Sequence, residues 1–286
     1  MHIVVCIKQV PDSSQIRVHP VTNTIMRQGV PAVVNPYDLF SLEEALRLKD
    51  RVGGRVTVLC MGPPQAEMAL RKAISFGADH AILVTDRAFA GSDTLATSFA
   101  LASAVRQIGR DMAVDLVFCG KQTIDGDTAQ VGPGIAKRLD LQLLTYVSQI
   151  DAVDPERREI VVRRRAEGGV QVLKTRLPCL ITMLEGSNEL RFATQAGIFR
   201  AARYPVQRWD SKAAGIEDPS RVGLKGSPTV VRKVFAPTPN TQRADLISCE
   251  SGTPEDLAAT LLAKLTTRNP ELAALLGRAG MQETGR

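Results

Sequence analysis

The stretch LVFCGKQTIDGDTAQVGPGIAKRL, residues 116–139, passes from an apolar run through a glycine-rich loop into a helical periodicity. Its first four residues are continuously apolar, which is typical of a strand buried on both faces of a parallel sheet. Helical spacing follows over residues 129–139, and Asp127 or Thr128 is placed to cap that helix. A strand that leads into a helix in this way predicts a βαβ unit.

The same alternation of strand and helix extends over residues 1–150. Residues 13–34 interrupt it with a period of two and are interpreted as a β-hairpin excursion. The pattern predicts an α/β fold with a doubly wound, mostly parallel, Rossmann-like sheet. Strands are predicted at residues 3–10, 56–61 and 81–85, and helices at residues 38–49, 65–76 and 93–108, with Asp38 capping the first helix and Ser92 or Asp93 the third.

The pattern changes after residue 150. Two alternating runs, residues 158–165 and 170–176, flank Glu167-Gly168-Gly169 and predict a hairpin, and residues 180–184 predict a further strand. Residues 254–276 have a helical pattern that starts at Thr253 and Pro254. We expect an α/β domain over residues 1–185, an extended C-terminal arm over residues 186–240 and a helical extension over residues 241–286.

Composition excludes several classes of protein. The net charge is +6, aromatic residues make up 4% of the chain and no run of five like charges occurs, so we expect no nucleic-acid partner. The five cysteines form no CxxC pair and the three histidines are scattered, so no metal or iron–sulfur site is expected. The amino terminus does not resemble a signal peptide and no apolar stretch approaches a membrane span, which indicates a cytoplasmic protein.

The loop over residues 120–134 is the first candidate site, because ligands of open parallel sheets bind at the carboxyl ends of the strands. Its glycines allow close approach of a ligand, and the N–H groups of the following helix can hold a phosphate. The spacing matches neither GxGxxG nor GxxxxGK[ST], so a turn that merely packs helix on strand remains an alternative. Weaker candidates are the helix start near Thr94 and Thr97, and Tyr37, which could stack on a ring.

Catalytic side chains are not evident in the sequence. No nucleophile–base pair, no paired carboxylates with acid and base roles and no metal-binding cluster stand out. A protein that only binds and positions a redox cofactor would have this character, because the cofactor carries the chemistry.

Four segments resemble the electron-transfer flavoprotein β-subunit family in sequence, order and spacing. They are VVCIKQVPD, VNPYDLFSLEEALRLK, VTVLCMGPPQAEMALRKAISFGAD and DLVFCGKQTIDGDTAQVGPGIAKRL, and the resemblance covers roughly residues 1–205. It implies an adenine nucleotide hydrolase-like fold and an adenine-nucleotide site. Ordinary members of the family hold AMP there, with the electron-carrying FAD in the α subunit, whereas electron-bifurcating members hold a second FAD that accepts hydride from NADH.

Two segments look like the bifurcating branch, namely residues 62–66 (GPPQA) and residues 86–94 (DRAFAGSDT), where small residues at 88, 90 and 91 would leave space for the flavin. We therefore expect FAD, with AMP as the alternative. Lys8, Lys121 and Arg87 are candidates for positive charge near a phosphate or reduced flavin. The expected cofactor-binding residues are Cys6, Lys8, Asn35, Tyr37, Asp38, Met61, Gly62, Phe89, Ala90, Gly91, Ser92, Asp93, Thr94, Thr97, Gly120, Lys121, Gln122, Asp125, Gly126, Asp127, Thr128, Ala129, Gln130, Val131, Gly132, Pro133 and Gly134.

The resemblance also implies partners. These are an electron-transfer flavoprotein α subunit, a ferredoxin or flavodoxin, and a dehydrogenase or quinone reductase that docks near residues 191–202, RFATQAGIFRAA. Many family members carry leucine where this chain has Gln195, which removes an apolar anchor from that loop. A nucleotide-binding sensor of the universal-stress type is a rival from another class, but it leaves the segment after residue 185 unexplained.

Overall fold

The computed structural model describes residues 1–12, 17–18, 25–26, 31–229, 232, 244, 246–247, 253–272 and 274–275. The chain divides into two compact units, Met1–Phe235 and Ala236–Arg286. In chain order the strands are β1 (His2–Cys6), β2 (Gln9–Pro11), β3 (Arg17–Val18), β4 (Ile25–Met26), β5 (Ala32–Val34), β6 (Arg55–Met61), β7 (His80–Val84), β8 (Leu116–Gly120), β9 (Gln142–Asp154), β10 (Glu159–Ala166), β11 (Gly169–Arg176), β12 (Cys179–Met183) and β13 (Gln207–Trp209). The helices are α1 (Pro36–Val52), α2 (Glu67–Phe76), α3 (Thr94–Asp111), α4 (Val131–Leu139), α5 (Gln195–Arg203) and α6 (Pro254–Arg268).

The first unit is built on a nine-stranded sheet with the strand order β11-β10-β9-β12-β8-β1-β6-β7-β13. Along this order, all neighbouring strands from β9 through β12, β8, β1, β6 and β7 to β13 are parallel. The pairs β9–β10 and β10–β11 are antiparallel. The strand order reverses at β1, since β6 and β7 follow on one side while β8 and β12 follow on the other. The predicted doubly wound, mostly parallel fold is confirmed, and its switch point lies between β1 and β8.

Two apolar layers cover the two faces of this sheet. On one face, Leu46 of α1 and Leu70 of α2 are buried in a core that also contains Phe118. On the other face, Val105 of α3 and Ile135 of α4 form a second core. Strands between two layers must be apolar on both sides, which explains the continuous apolar runs of β1, β6 and β8.

Several local predictions are confirmed and some are wrong. The helix cap at Asp93 is confirmed, because its carboxylate accepts the N–H groups of Leu95 and Ala96. Asp38 does not cap α1, since Asn35 is at the cap position and Asp38 lies in the first turn. The antiparallel pairs β3–β4 and β2–β5 confirm the hairpin character of residues 13–34 as far as that segment is described.

Residues 186–229 contain elements that the sequence pattern did not predict. Helix α5 has only nine residues and buries only Ala201, so most of its apolar side chains do not face the core, and a short segment of this kind gives a weak helical signal in the sequence. Strand β13 has three residues, too few for a visible alternation, yet Gln207 to Trp209 add a parallel strand beside β7. The sequence pattern does not predict strand β9 either.

The second unit contains α6, which begins as the sequence predicts. Thr253 and Asp256 form a reciprocal capping box, and Pro254 occupies the first turn, where its missing N–H group costs nothing. Among the described residues, no helix is both long enough and apolar enough to cross a membrane.

Substitution of Phe118 tests the two-sided core. Phe118 is fully buried at 0% exposure, so Phe118→Ala should lower the free energy of unfolding of the full chain by about 3 to 5 kcal/mol in urea titrations. Phe192 is 95% exposed, so the matched change Phe192→Ala should alter stability by less than about 0.5 kcal/mol. Equal effects of the two changes would contradict this account of the core.

Candidate functional site

A cavity of about 350 Å³ opens at the carboxyl edge of the sheet, at the switch point between β1 and β8. Its walls come from the residues that follow β1, the end of β6, the start of α3, and the loop from β8 to α4. The predicted site residues that line it are Cys6, Lys8, Asp38, Met61, Ser92, Asp93, Thr94, Thr97, Gly120, Lys121, Gln122, Gly126, Thr128, Ala129, Gln130, Val131 and Gly132.

The start of α4 forms one wall of this cavity. The helix begins at Val131 with Gln130 at the cap position and no side chain capping it, so the expected cap by Asp127 or Thr128 is wrong. Ala129 has a left-handed φ of 55°, and Gln130 is right-handed. A left-handed residue followed by a right-handed one turns successive backbone N–H groups toward one point, which makes an anion-binding concavity. The first-turn N–H groups of α4 add to it.

The loop that precedes α4 is held by Asn35. This side chain is fully buried, donates from Nδ2 to the carbonyl oxygen of Gln122 at 2.9 Å and accepts the N–H of Ile124 at 3.3 Å. Gln122 in turn donates to Asp127 at 2.8 Å. Asn35 therefore shapes the loop and does not line the cavity.

Asp38 lines the floor of the cavity and joins two strand ends. Its carboxylate accepts the backbone N–H of Lys8 at 2.7 Å and that of Gly120 at 3.2 Å. Burial raises the pKa of Asp38 to about 7, although hydrogen bonds from Asn35, Lys8 and Gly120 oppose the rise. Gly120 has no room for a side chain, since a Cβ there would overlap Asp38 and lie 2.7 Å from the carbonyl carbon of Tyr37.

Two ammonium groups stand at the edge of the site. Lys8 Nζ lies 2.7 and 2.8 Å from the two carboxylate oxygens of Asp125. Burial alone would raise the pKa of Asp125, but the hydrogen bond and charge of Lys8 outweigh it and the pKa is lowered. Lys121 Nζ lies 5.5 Å from the ring centre of Tyr37 and 3.7 Å from a Glu185 oxygen.

The wall at α3 is more closed than the sequence suggested. Ser92 Oγ donates to the carbonyl of Phe89 at 2.7 Å and accepts the N–H of Gly223 at 2.9 Å. A Cβ on Gly91 would lie 2.5 Å from Leu224, so the space expected beside residue 91 is filled by an apolar side chain from a distant part of the chain. Thr94 spans toward α4 and donates to Gln130 at 2.8 Å.

Some predicted site residues lie outside the cavity lining. Phe89 is part of the core, and Gly134 allows α4 to approach α3 closely, since a Cβ there would lie 2.6 Å from Ser98 Oγ. Arg87, a candidate for positive charge, lies in the 3-10 turn Arg87–Phe89 and does not line the cavity. The predicted binding residues outside the lining are Asn35, Tyr37, Gly62, Phe89, Ala90, Gly91, Asp125, Asp127, Pro133 and Gly134.

Four lining residues were not predicted: Ile7, Leu101, Cys119 and Thr123. Three of them adjoin predicted residues in the chain. Leu101 lies four residues after Thr97, on the same side of α3, so helical spacing could have identified it. Among the described residues, no group of three or more His, Cys, Asp or Glu side chains is arranged to hold a metal ion.

Comparison with known proteins identifies the family of the chain. The family described as the electron transfer flavoprotein domain matches residues 22–214. The chain is 70% identical over 272 residues to Protein FixA of Azotobacter vinelandii, covering 95% of this chain and 97% of that protein. This chain belongs to the electron transfer flavoprotein family. Its resemblance to the β subunits of that family is thereby confirmed.

Further relatives support the assignment. Protein FixA of Azorhizobium caulinodans is 64% identical over 273 residues, covering 95% of this chain and 96% of that protein. The electron transfer flavoprotein subunit beta of Thermoanaerobacterium thermosaccharolyticum is 44% identical over 269 residues, covering 94% of this chain and 99% of that protein. Electron transfer is thus the role of the family, and flavin or nucleotide association and pairing with an α subunit are normal features of it.

The close approach at Gly120 provides a test of the site's packing. Gly120→Ala should lower the free energy of unfolding by about 1 to 3 kcal/mol, because the new methyl group must displace Asp38 and the backbone of Tyr37. Gly126→Ala in the same loop is the control, since its Cβ would meet only Thr123 Oγ1 at 3.5 Å. Urea unfolding of both variants would contradict the packing described here if Gly126→Ala were the more costly change.

Proposed function

We propose that this chain is the β subunit of a heterodimeric electron-transfer flavoprotein and that the switch-point cavity holds FAD. When bound, this flavin would accept a hydride from NADH and release its electrons singly, one to a ferredoxin or flavodoxin and one through the α-subunit FAD to a dehydrogenase or quinone reductase. The observation that carries the proposal is the start of α4 at the carboxyl edge of the sheet, in a member of this family. No side chain caps this helix, and the left-handed residue Ala129 lies just before it.

The cavity walls suit an adenine nucleotide. Backbone N–H groups at Ala129–Val131 offer an anion cradle without a competing side-chain cap. Lys8 provides a positive charge at the same edge and can exchange its contact with Asp125 for one with a phosphate. Met61 and Leu101 supply apolar surface for an adenine ring.

The protein's own contribution is binding and placement. The residues that line the cavity contain no nucleophile paired with a base, which is in keeping with a cofactor that performs the chemistry. Thr97 presents a hydroxyl group that can bond the ribityl or ribose hydroxyls of a dinucleotide, whereas Thr94, whose hydroxyl donates to Gln130, can only accept such a bond while that contact lasts. Ser92 can contribute little, because its hydroxyl is already engaged by Phe89 and Gly223.

AMP is the second candidate, and one observation favours it. The cavity of about 350 Å³ is at the small end of the range for ligand sites, and Leu224 closes the space beside Gly91. A nucleoside monophosphate fits a space of this size. FAD would keep its adenosine and phosphates in the cavity and extend its flavin beyond it.

Cofactor content distinguishes the two candidates. The chain should be co-expressed with its α subunit, and the cofactors of the purified heterodimer should be extracted and separated by chromatography. Two equivalents of FAD per heterodimer, both reduced by added NADH, would agree with the main proposal, whereas one FAD and one AMP would establish the alternative. One FAD with no second nucleotide would refute both.

Residues 191–202 also fit the docking role that the family resemblance implies. Phe192 is 95% exposed, and Ile198 and Phe199 are 53% and 56% exposed. Such a cluster of exposed apolar side chains marks interaction sites on soluble proteins. Gln195, which begins α5, is polar, so the exposed apolar side chains that this segment offers a partner are these three.

Hydrogen bonds from both ends of the docking segment tie it to α1 and α2, and a segment ordered before association costs less entropy on binding. The guanidinium of Arg191 donates to both oxygens of Glu43 at 2.9 and 3.0 Å and to Asp50 at 2.9 Å. Arg71 donates to the carbonyl oxygens of Ala201 and Ala202 at the end of α5, at 2.6 and 3.2 Å.

Phe192→Ala should weaken docking without unfolding the chain. We expect the KM of the partner dehydrogenase for the heterodimer to rise about tenfold with kcat unchanged, because truncation of an exposed aromatic anchor removes binding energy only. Met112→Ala, which also shortens an exposed apolar side chain but lies just after α3, should leave KM unchanged. An unchanged KM for Phe192→Ala would remove Phe192 from the docking surface.

A further inference from the structure

We propose that Asp38 is a positioning residue of the nucleotide site, whose carboxylate holds the carboxyl ends of β1 and β8 together and whose protonation weakens nucleotide binding. The inference rests on the proposed function only in requiring that the cavity bind an adenine nucleotide. Family resemblance placed Asp38 among the ligand contacts, whereas the geometry points to an indirect role.

The backbone pairing between β1 and β8 ends before the residues that hydrogen-bond to Asp38. The registered pairs of these strands run from Ile3–Leu116 to Val5–Phe118. Beyond that point, the N–H of Lys8 and the N–H of Gly120 donate to the two oxygens of the Asp38 carboxylate, one to each. One side chain from the first turn of α1 thus replaces the backbone pairing that the diverging strands have lost.

Asp38 has little capacity left for a ligand. Its residue exposure is 5%, each carboxylate oxygen accepts a backbone N–H, and the side chain of Asn35 hydrogen-bonds to it as well. Gly120 lies against it so closely that no side chain fits between them. The carboxylate therefore acts on a nucleotide through the strand ends that form the cavity floor.

Protonation would break this arrangement. A carboxylate accepts hydrogen bonds at both oxygens, whereas in a carboxylic acid one oxygen carries a proton and becomes a donor. That O–H group would face a backbone N–H, which is also a donor, so the N–H would lose its acceptor. Burial raises the pKa of Asp38 to about 7, so the change falls near neutral pH. The two N–H bonds are complete above this pH, and one of them is lost as the pH falls through it.

The groups that face Asp38 from the neighbouring strands do not explain a change near neutral pH. They are the ammonium of Lys8 and the thiols of Cys6, Cys60 and Cys119. Burial raises the pKa of Cys60 to about 12, and a hydrogen bond from Cys6 together with burial raises that of Cys119, so both thiols stay neutral. Lys8 is paired with Asp125, whose pKa is lowered, so that carboxyl stays ionised near neutral pH.

Stability and affinity should respond to pH in opposite directions. Because the folded-state pKa of Asp38 is raised above the ordinary 3.8, the group makes its largest contribution to stability at low pH, and this is lost as the pH rises from about 4 to 7. Nucleotide affinity should instead rise with pH over the upper part of that range. General loosening of the fold would move both quantities together.

The test is calorimetric titration of the full-length chain with FAD, and separately with AMP, at about pH 6 and about pH 8. Wild type should bind FAD about tenfold more tightly at the higher pH. This is the largest ratio of affinities that the loss of one proton with a pKa of about 7 can produce between these two pH values. FAD is the cleaner probe, since the AMP phosphate itself titrates near pH 6. Asp38→Asn should bind FAD weakly and with no pH dependence.

Asp115→Asn is the matched control. Asp115 also accepts a backbone N–H of β1, that of His2 at 2.8 Å, but it does so at the opposite edge of the sheet. This variant should keep the wild-type pH profile. Equal affinity of wild type at both pH values, with FAD still bound, would overturn the role of Asp38 and leave the proposed function standing. Failure of both nucleotides to bind at either pH would overturn both.

A measurement on the wild type avoids dependence on any variant's folding. Without nucleotide, the backbone amide resonances of Lys8 and Gly120 should shift together with a midpoint near the Asp38 pKa of about 7. Resonances that do not move over that range would overturn the proposal.

Discussion

The site depends on the divergence of β1 and β8 at their carboxyl ends. The chain leaves these strands toward opposite faces of the sheet, and this reversal of strand order leaves a crevice that no crossover covers. A crevice with unpaired backbone N–H groups would be costly, and Asp38 from α1 satisfies two of them. The glycine at position 120 is required because any side chain there would occupy the place of that carboxylate.

Glycine also sets the position of α4, which supplies the proposed anion cradle. A Cβ on Gly132 would lie 2.9 Å from Thr182, so the first turn of α4 rests directly on β12. With Asn35 pinning the loop before it, the N–H groups of the helix start have a fixed direction. A cradle fixed before the ligand arrives loses little entropy on binding, which is what a tightly held cofactor requires.

Helix α1 links the cavity to the docking segment. Its first turn carries Asp38 at the floor of the cavity, and its second carries Glu43, a buried carboxylate that accepts two hydrogen bonds from the Arg191 guanidinium. A buried carboxylate is stabilised only when it is paired, and Arg191 provides that partner for Glu43. The same ion pair holds Arg191 in place, and with it the adjacent Phe192, where the exposed apolar cluster begins. The proposed cofactor site and docking surface thus share one rigid element.

The sequence by itself determined the alternation of strands and helices, a helix cap at Ser92 or Asp93, the hairpin from β10 to β11 and the family, because each depends on residues close together in the chain. Only the tertiary structure decided which loop residues face the cavity. Asn35 turns away to hold the loop, Leu224 fills the space beside Gly91, and β13 joins the sheet beside β7. Such contacts join distant segments, and no local periodicity records them.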